Sequence, residues 1–142
     1  MSLQQALGEA QRRFRAWALT NHPTIPVDFP NAPFHEPDYG PYLVFRPVTG
    51  RITRGSIGRN AYSIQVGIIQ VNAVYPLNEG AGPATNLCED ALSIFDEIEY
   101  RVGPTETMVF RLSSIDGESD ANGKYTVVGS VPWERKRLIR SS

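Results

Sequence analysis

The residues from Gly67 to Phe95, "GIIQVNAVYPLNEGAGPATNLCEDALSIF", run an apolar stretch into a glycine-rich loop and then into a helix-like pattern, the order in which anion-binding loops are built. A phosphate held there would need converging backbone N–H groups, and nucleotide-binding versions add a lysine and a hydroxyl that holds magnesium. "PLNEGAGPAT" has no Gly-Lys pair, sets Glu79 against an anion, and loses a donor at Pro83. Pro83 directly after Gly82 is what helix initiation alone requires, so Gly80 and Gly82 are expected to turn the chain from strand to helix. Cys88 has a nucleophile's chemistry, but it lies one turn from Ala84 and Leu92 on the apolar side of that helix, where cysteines are inert. As the single cysteine it excludes an internal disulfide. His22 and His35, with Asp28, Glu36 and Asp38 nearby, lack the close spacing of metal ligands and read as exposed loop residues. Asp116, Glu118 and Asp120 alternate as in part of a calcium loop, without its later bidentate glutamate. Neither metal nor cofactor is expected, and no catalytic residue is assigned.

Three basic clusters remain. Arg12, Arg13 and Arg15 lie off the apolar stripe of an N-terminal helix; Arg51, Arg54 and Arg59 punctuate "TGRITRGSIGRN"; and Arg135, Lys136, Arg137 and Arg140 crowd the C-terminus. The formal net charge is −1 and the pI about 6.1, so no global field draws the chain to nucleic acid or an acidic membrane. Twelve of the fourteen basic residues are arginine, which suits planar pairing across an interface better than lysine does. These arginines are therefore candidates for contact with acidic surfaces of other subunits. No apolar run approaches the ~20 residues of a membrane span, and no signal peptide is visible at the start, so the chain is expected to be soluble and unexported.

The elements that position these residues follow from periodicity. Leu3, Ala6, Leu7, Ala10, Phe14 and Trp17 recur at helical spacing from Ser2 to about Thr20, with Ser2 and Gln5 resembling a capping box. "TIPVDFPNAPFHEPDYGP" removes backbone donors and allows an edge strand around Ile25 to Phe29 followed by an extended loop. Tyr42 to Val48 alternates as a strand, and the glycine-punctuated run after it reads as a hairpin tip or mobile loop. In Ala61 to Tyr75 the apolar residues change parity, Ile64, Val66 and Ile68 on one side and Ile69, Val71, Ala73 and Tyr75 on the other, which predicts a bulge or bend near Gly67. Ala84, Leu87, Cys88, Ala91, Leu92, Phe95 and Ile98 make an apolar helical stripe that should cover the sheet. Thr105 to Leu112 and Tyr125 to Trp133 read as a terminal hairpin joined by the long polar loop "SSIDGESDANGK", with a frayed basic tail after it. Together these predict an α+β fold: a mostly antiparallel sheet, two main helices packed on one face, long mobile loops, and a single domain over residues 1–142.

This order of features resembles the tail terminator, or tail completion, proteins of long-tailed bacteriophages and prophages. The resemblance is carried by "NAPFHEP" at Asn31 to Pro37, "YLVF" at Tyr42 to Phe45, "GSIGRNAY", "GIIQVNAVYP" at Gly67 to Pro76, and "GAGPATNLCEDALSIF" at Gly80 to Phe95, from residue 1 to about 100. It implies a structural role: a ring, a hexamer in assembly, that sits on the last ring of the tail tube protein, halts its polymerisation and offers a surface to head–tail connector proteins. The implied location is the virion tail, with assembly in the host cytoplasm. Self-association, tube protein and connector are the implied partners, with no membrane and no specific nucleic acid. Heterologous contacts close such a ring; Arg51, Arg54, Arg59, Arg12, Arg13 and Arg15 are the candidate interface residues, with the strand before the glycine turn as an inter-subunit or lumen-lining element. Gly67, Gly80, Gly82, Leu87, Leu92 and Phe95 are the candidate turn and core. The alternatives are a head–tail neck or completion protein and a small hydrolase using His35.

Overall fold

The computed structural model describes residues 3–38, 40–54, 61–77, 81–121 and 123–138. Helix α1 spans Leu3–Asn21 and buries Ala6, Ala10, Phe14 and Ala18, while Ser2 and its capping role lie outside the described residues. Gly8 falls on the exposed side of α1, where an added Cβ would meet nothing. Strand β1, Val27–Asp28, runs parallel to β2, Tyr42–Arg54, which pairs antiparallel with β3, Tyr62–Pro76. Helix α2 covers Ala81–Ser93, and β4 (Glu99–Gly103), β5 (Glu106–Phe110), β6 (Ser114–Ala121) and β7 (Lys124–Leu138) complete the chain.

These strands form one seven-stranded sheet in the order β1-β2-β3-β7-β5-β4, with β6 pairing β7 as well. All pairings except β1 with β2 are antiparallel, so the fold is α+β with two helices and a mostly antiparallel sheet. The core lies between the sheet and the helices. Phe14 of α1 sits 4.9 Å, centroid to centroid, from Phe45 of β2, and Phe95, just after α2, stacks 4.9 Å from Phe110 of β5. Aromatic pairs at such distances contribute beyond the area they bury. Leu87, Leu92 and Phe95 are buried in the same cluster.

Five sequence expectations are corrected. The parity change in β3 is not a bulge: β3 pairs β7 in unbroken register from Tyr62 with Leu138 to Pro76 with Lys124. Gln65, Ile69, Val71 and Ala73 all face the core, and Ile64, Val66 and Ile68 face the side that carries no helix. The extra residue is in β2, where the register shifts between Thr49 and Ile52 so that Gly50 and Arg51 oppose Val66. That bulge carries β2 onward to Arg54, so Arg51 and Arg54 lie on a strand and not in a hairpin tip; residues 55–60 lie outside the described residues.

The polar connection "SSIDGESDANGK" is mostly β6, paired with β7 from Ser114 with Ser130 to Ala121 with Lys124 and turned at Gly123, whose φ is 74°. The ladder pairs the β6 backbone groups that face β7 and leaves the outer edge of β6 open. The regular helix stops at Ser93, short of Ile98: Phe95 and Asp96 donate to the Leu92 and Ser93 carbonyls in tighter turns, Glu97 takes a left-handed φ of 54°, and Glu99 opens β4. Finally, the basic C-terminal run is not frayed over Trp133 to Leu138, since β7 is held there between β3 and β5. Pro132 sits at the seam of β7, after the last β6 partner at Ser130 and before the first β5 partner at Trp133, a place where a missing donor is tolerated.

Candidate assembly surfaces

Four of the six candidate interface arginines have described side chains, and the fold uses them differently. Arg12 donates to both oxygens of Glu9, at 2.9 and 2.7 Å, and Arg13 donates to the same carboxylate at 3.1 Å. These contacts, that with Arg12 foremost, hold the Glu9 carboxyl below its usual range. Arg13 also lies 4.5 Å over the Tyr100 ring, and Arg15 lies 4.6 Å over Phe29. The α1 arginines therefore make contacts within their own chain. Arg51 is exposed on the β2 bulge. Arg54 belongs to β2 with its side chain outside the described residues, and Arg59 lies outside them altogether.

The glycines also separate. Gly67 faces Trp133 across the β3–β7 ladder, and a Cβ there would stand 2.4 Å from the indole ring and 2.3 Å from the Val48 carbonyl oxygen. It is a packing glycine, required because Trp133, 1% exposed, lies across it. Gly82 is inside the first turn of α2, without a positive φ, and an added Cβ would meet nothing. It is therefore not a conformational necessity for the turn; Gly80 lies outside the described residues.

The residues with catalytic chemistry are dispersed. Cys88 is buried, and burial foremost, with Asp116 and Glu89 nearby, pushes its thiol up to about 12. His22 packs against Trp17 at 5.1 Å, and His35 is exposed. Asp28 pairs with Arg46 at 2.9 Å, while Glu36 is engaged by Lys124 and Tyr42. No group of three metal-ligating side chains converges among the described residues, and no helix among them is long and apolar enough to cross a membrane. A cavity of about 730 Å³ is lined by Glu36, Asp38, Tyr42, Ser119, Lys124 and Thr126; it lies where the 36–38 segment crosses the sheet, clasped by Lys124.

A buried polar group escaped the sequence reading. Arg135 donates to Glu106 through two nitrogens, at 2.9 and 3.0 Å, and to Gln65 at 3.1 Å. Glu106 and Arg135 are 2% and 6% exposed. The bidentate geometry offsets the desolvation of both charges and ties β5, β7 and β3 together. Its trace in the sequence is a charged or polar residue at three positions whose parity points inward.

Also missed was the apolar character of the open sheet face. Val48 is 46% and Val66 42% exposed; Ile64 and Ile68 are half-buried and Pro132 is exposed. Val48, Ile68 and Pro132 are cross-strand neighbours. No helix covers that face among the described residues, because both helices pack on the other. The change of parity in β3 was the signal for it.

Comparison with known proteins gives this architecture its context. A solved structure superposes with a TM-score of 0.74 at 23% identity, over 95% of this chain and 96% of that one, which supports the fold alone. A search of curated proteins gives no match. The profile of the family described as phage tail terminator protein matches residues 3–133. Across nearly its whole length, then, this chain carries the pattern of structural proteins of the phage tail, and it belongs to the phage tail terminator family.

Proposed function

We propose that this chain acts as one domain that closes the end of the tail tube as a hexameric ring, halts tube polymerisation and presents the surface to which the head is joined. Assembly takes place in the host cytoplasm, and the chain acts without catalysis or cofactor. The observation that carries this reading, beside family membership, is the open sheet face. Antiparallel sheets that face water on one side are polar there, whereas Val48, Val66, Ile68 and Pro132 bring apolar surface outward. Clustered exposed apolar surface marks a site of protein contact. Arg51 stands on the β2 segment that carries Val48, Arg54 and Arg59 follow it in the sequence, and these arginines are assigned to the polar rim of that contact.

Electron microscopy of particles assembled without this protein tests the reading. Over-long tails are the expected result. Tails of normal length that fail to gain heads would instead make the chain a neck or head-completion protein. Replacing Arg51, Arg54 and Arg59 together by serine is expected to leave circular dichroism and denaturation unchanged while abolishing tail completion; a normal virion yield would remove these arginines from the interface.

A further inference from the structure

We propose that neighbouring copies of this chain join by pairing the free edge of β2, over residues 48–53, with the free edge of β6, so that the sheet of one copy continues into the next. The proposal rests on the ring reading above and names the two surfaces that close the ring. On its outer side β2 is paired, among the described residues, only at Leu43 and Val44, by β1. Residues 48–53 are all exposed, with Ile52 58% exposed and Arg51 among them. At the other edge, β6 pairs only with β7 among the described residues and is exposed along its whole length. It carries Ile115, 37% exposed, and the carboxylates of Asp116, Glu118 and Asp120, with no basic residue.

An unpaired strand edge is a row of backbone donors and acceptors ready to accept another strand. The spans are compatible: eight residues of β6 extend ~27 Å and six of β2 ~20 Å. Charge decides which edge each accepts. Two β6 edges would set carboxylates against carboxylates, and two β2 edges would set Arg51 against Arg51; like charges opposed across strands are destabilising. Only the unlike pairing sets arginine against carboxylate and brings Ile52, opposite Gln65, towards Ile115, opposite Gly129, on the same sheet face. The bulge between Thr49 and Ile52 further limits indiscriminate pairing along β2. Because the two edges lie at different places on the molecule, the contact is heterologous and propagates from copy to copy until it closes. Each copy in a closed ring makes two such contacts, so a weak pair suffices for a stable assembly.

The test uses the full chain with one cysteine introduced on the open face, Val48→Cys on β2 or Ser119→Cys on β6, beside the buried and slowly reacting Cys88, and a brief exposure to a flexible bis-maleimide. A mixture of the two variants is expected to give at least tenfold more crosslinked dimer than either alone, in solution or in purified tails. Arg51→Glu on the first chain, or Asp116→Lys with Asp120→Lys on the second, should return the mixture to the single-variant level. Both changes together should restore the yield. Background yield in both settings, or a yield that ignores the charge changes, overturns the proposal. Over-long tails in the protein's absence alongside background crosslinking would defeat the edge pairing and leave the ring reading standing. Efficient crosslinking with tails of normal length in its absence would do the reverse.

Discussion

Gly67 and Gly82 look alike in the sequence and have opposite roles in the fold. A methyl group at Gly67 would meet Trp133 and the Val48 carbonyl at 2.4 and 2.3 Å, and the carbonyl is backbone paired in a ladder that cannot easily retreat. Gly67→Ala is expected to cost about 1–3 kcal/mol by overpacking, read by chemical denaturation. Gly82→Ala is expected to add about 0.5–1 kcal/mol, since a helical position with open space around it loses only backbone entropy by being glycine. Equal effects of the two changes would contradict this division. Cys88 gives a third measurement at this scale. Its thiol is held up to about 12 against an ordinary 9.0, so at pH 8 the thiolate fraction is about one in ten thousand. Maleimide should label the native chain slowly and the denatured chain fast. Because the folded value is raised, the stability due to the neutral thiol is complete below pH 9.0 and is lost as pH rises towards about 12.

Among the elements, β7 is the axis of the sheet, paired with β3 on one side and with β6 and then β5 on the other. Arg135 on β7 and Glu106 on β5 make its buried ionic tie. Glu106→Gln alone leaves a buried guanidinium with a weakened partner, and a loss of about 3–5 kcal/mol is expected for breaking such a pair. Replacing Glu106 and Arg135 together by leucine and methionine should cost much less than the sum of the single losses. Additive losses in that double-mutant cycle would show that the pair is not coupled. The turn after α2 has a different dependence. Phe95, 1% exposed, stacks on Phe110 and reaches Phe14 of α1 at 6.5 Å, so it joins both helices to the sheet. Phe95→Ala is expected to cost about 3–5 kcal/mol through the cavity left behind; a loss under about 1 kcal/mol would be incompatible with this packing.

At the scale of the whole molecule, one sheet face is covered by helices and the other is open, with a basic strand edge at one side and an acidic edge at another. Association driven by these edges should weaken with salt, since the screening length falls from ~10 Å at 0.1 M to ~3 Å at 1 M. Light scattering is expected to show a dissociation constant that rises several-fold over that range. Association through the apolar face alone would hold or strengthen, and that result would assign the contact to Val48, Val66 and Ile68 in place of the edges.

The sequence by itself determined the parts whose signal is local. The stripe from Leu3 to Trp17 and the one from Ala84 to Leu92 define their helices because helical periodicity is set by neighbours three and four residues apart. The alternation from Tyr42 to Val48 likewise marks a strand, and the motifs resemble those of the tail terminator family to which the chain belongs. Tertiary structure decided whatever depends on a partner strand. β6 is a strand because β7 supplies its ladder, and Ser114 to Ala121 has no apolar alternation to announce it. The parity change of Ile64 to Tyr75 could arise from a bulge or from a strand apolar on both faces, and only the unbroken register with β7 separates the two. Gln65, Glu106 and Arg135 are distant in the chain and meet only across the sheet. Periodicity reports which way a side chain points, whereas burial depends on what stands opposite, and that is settled when the strands are laid side by side.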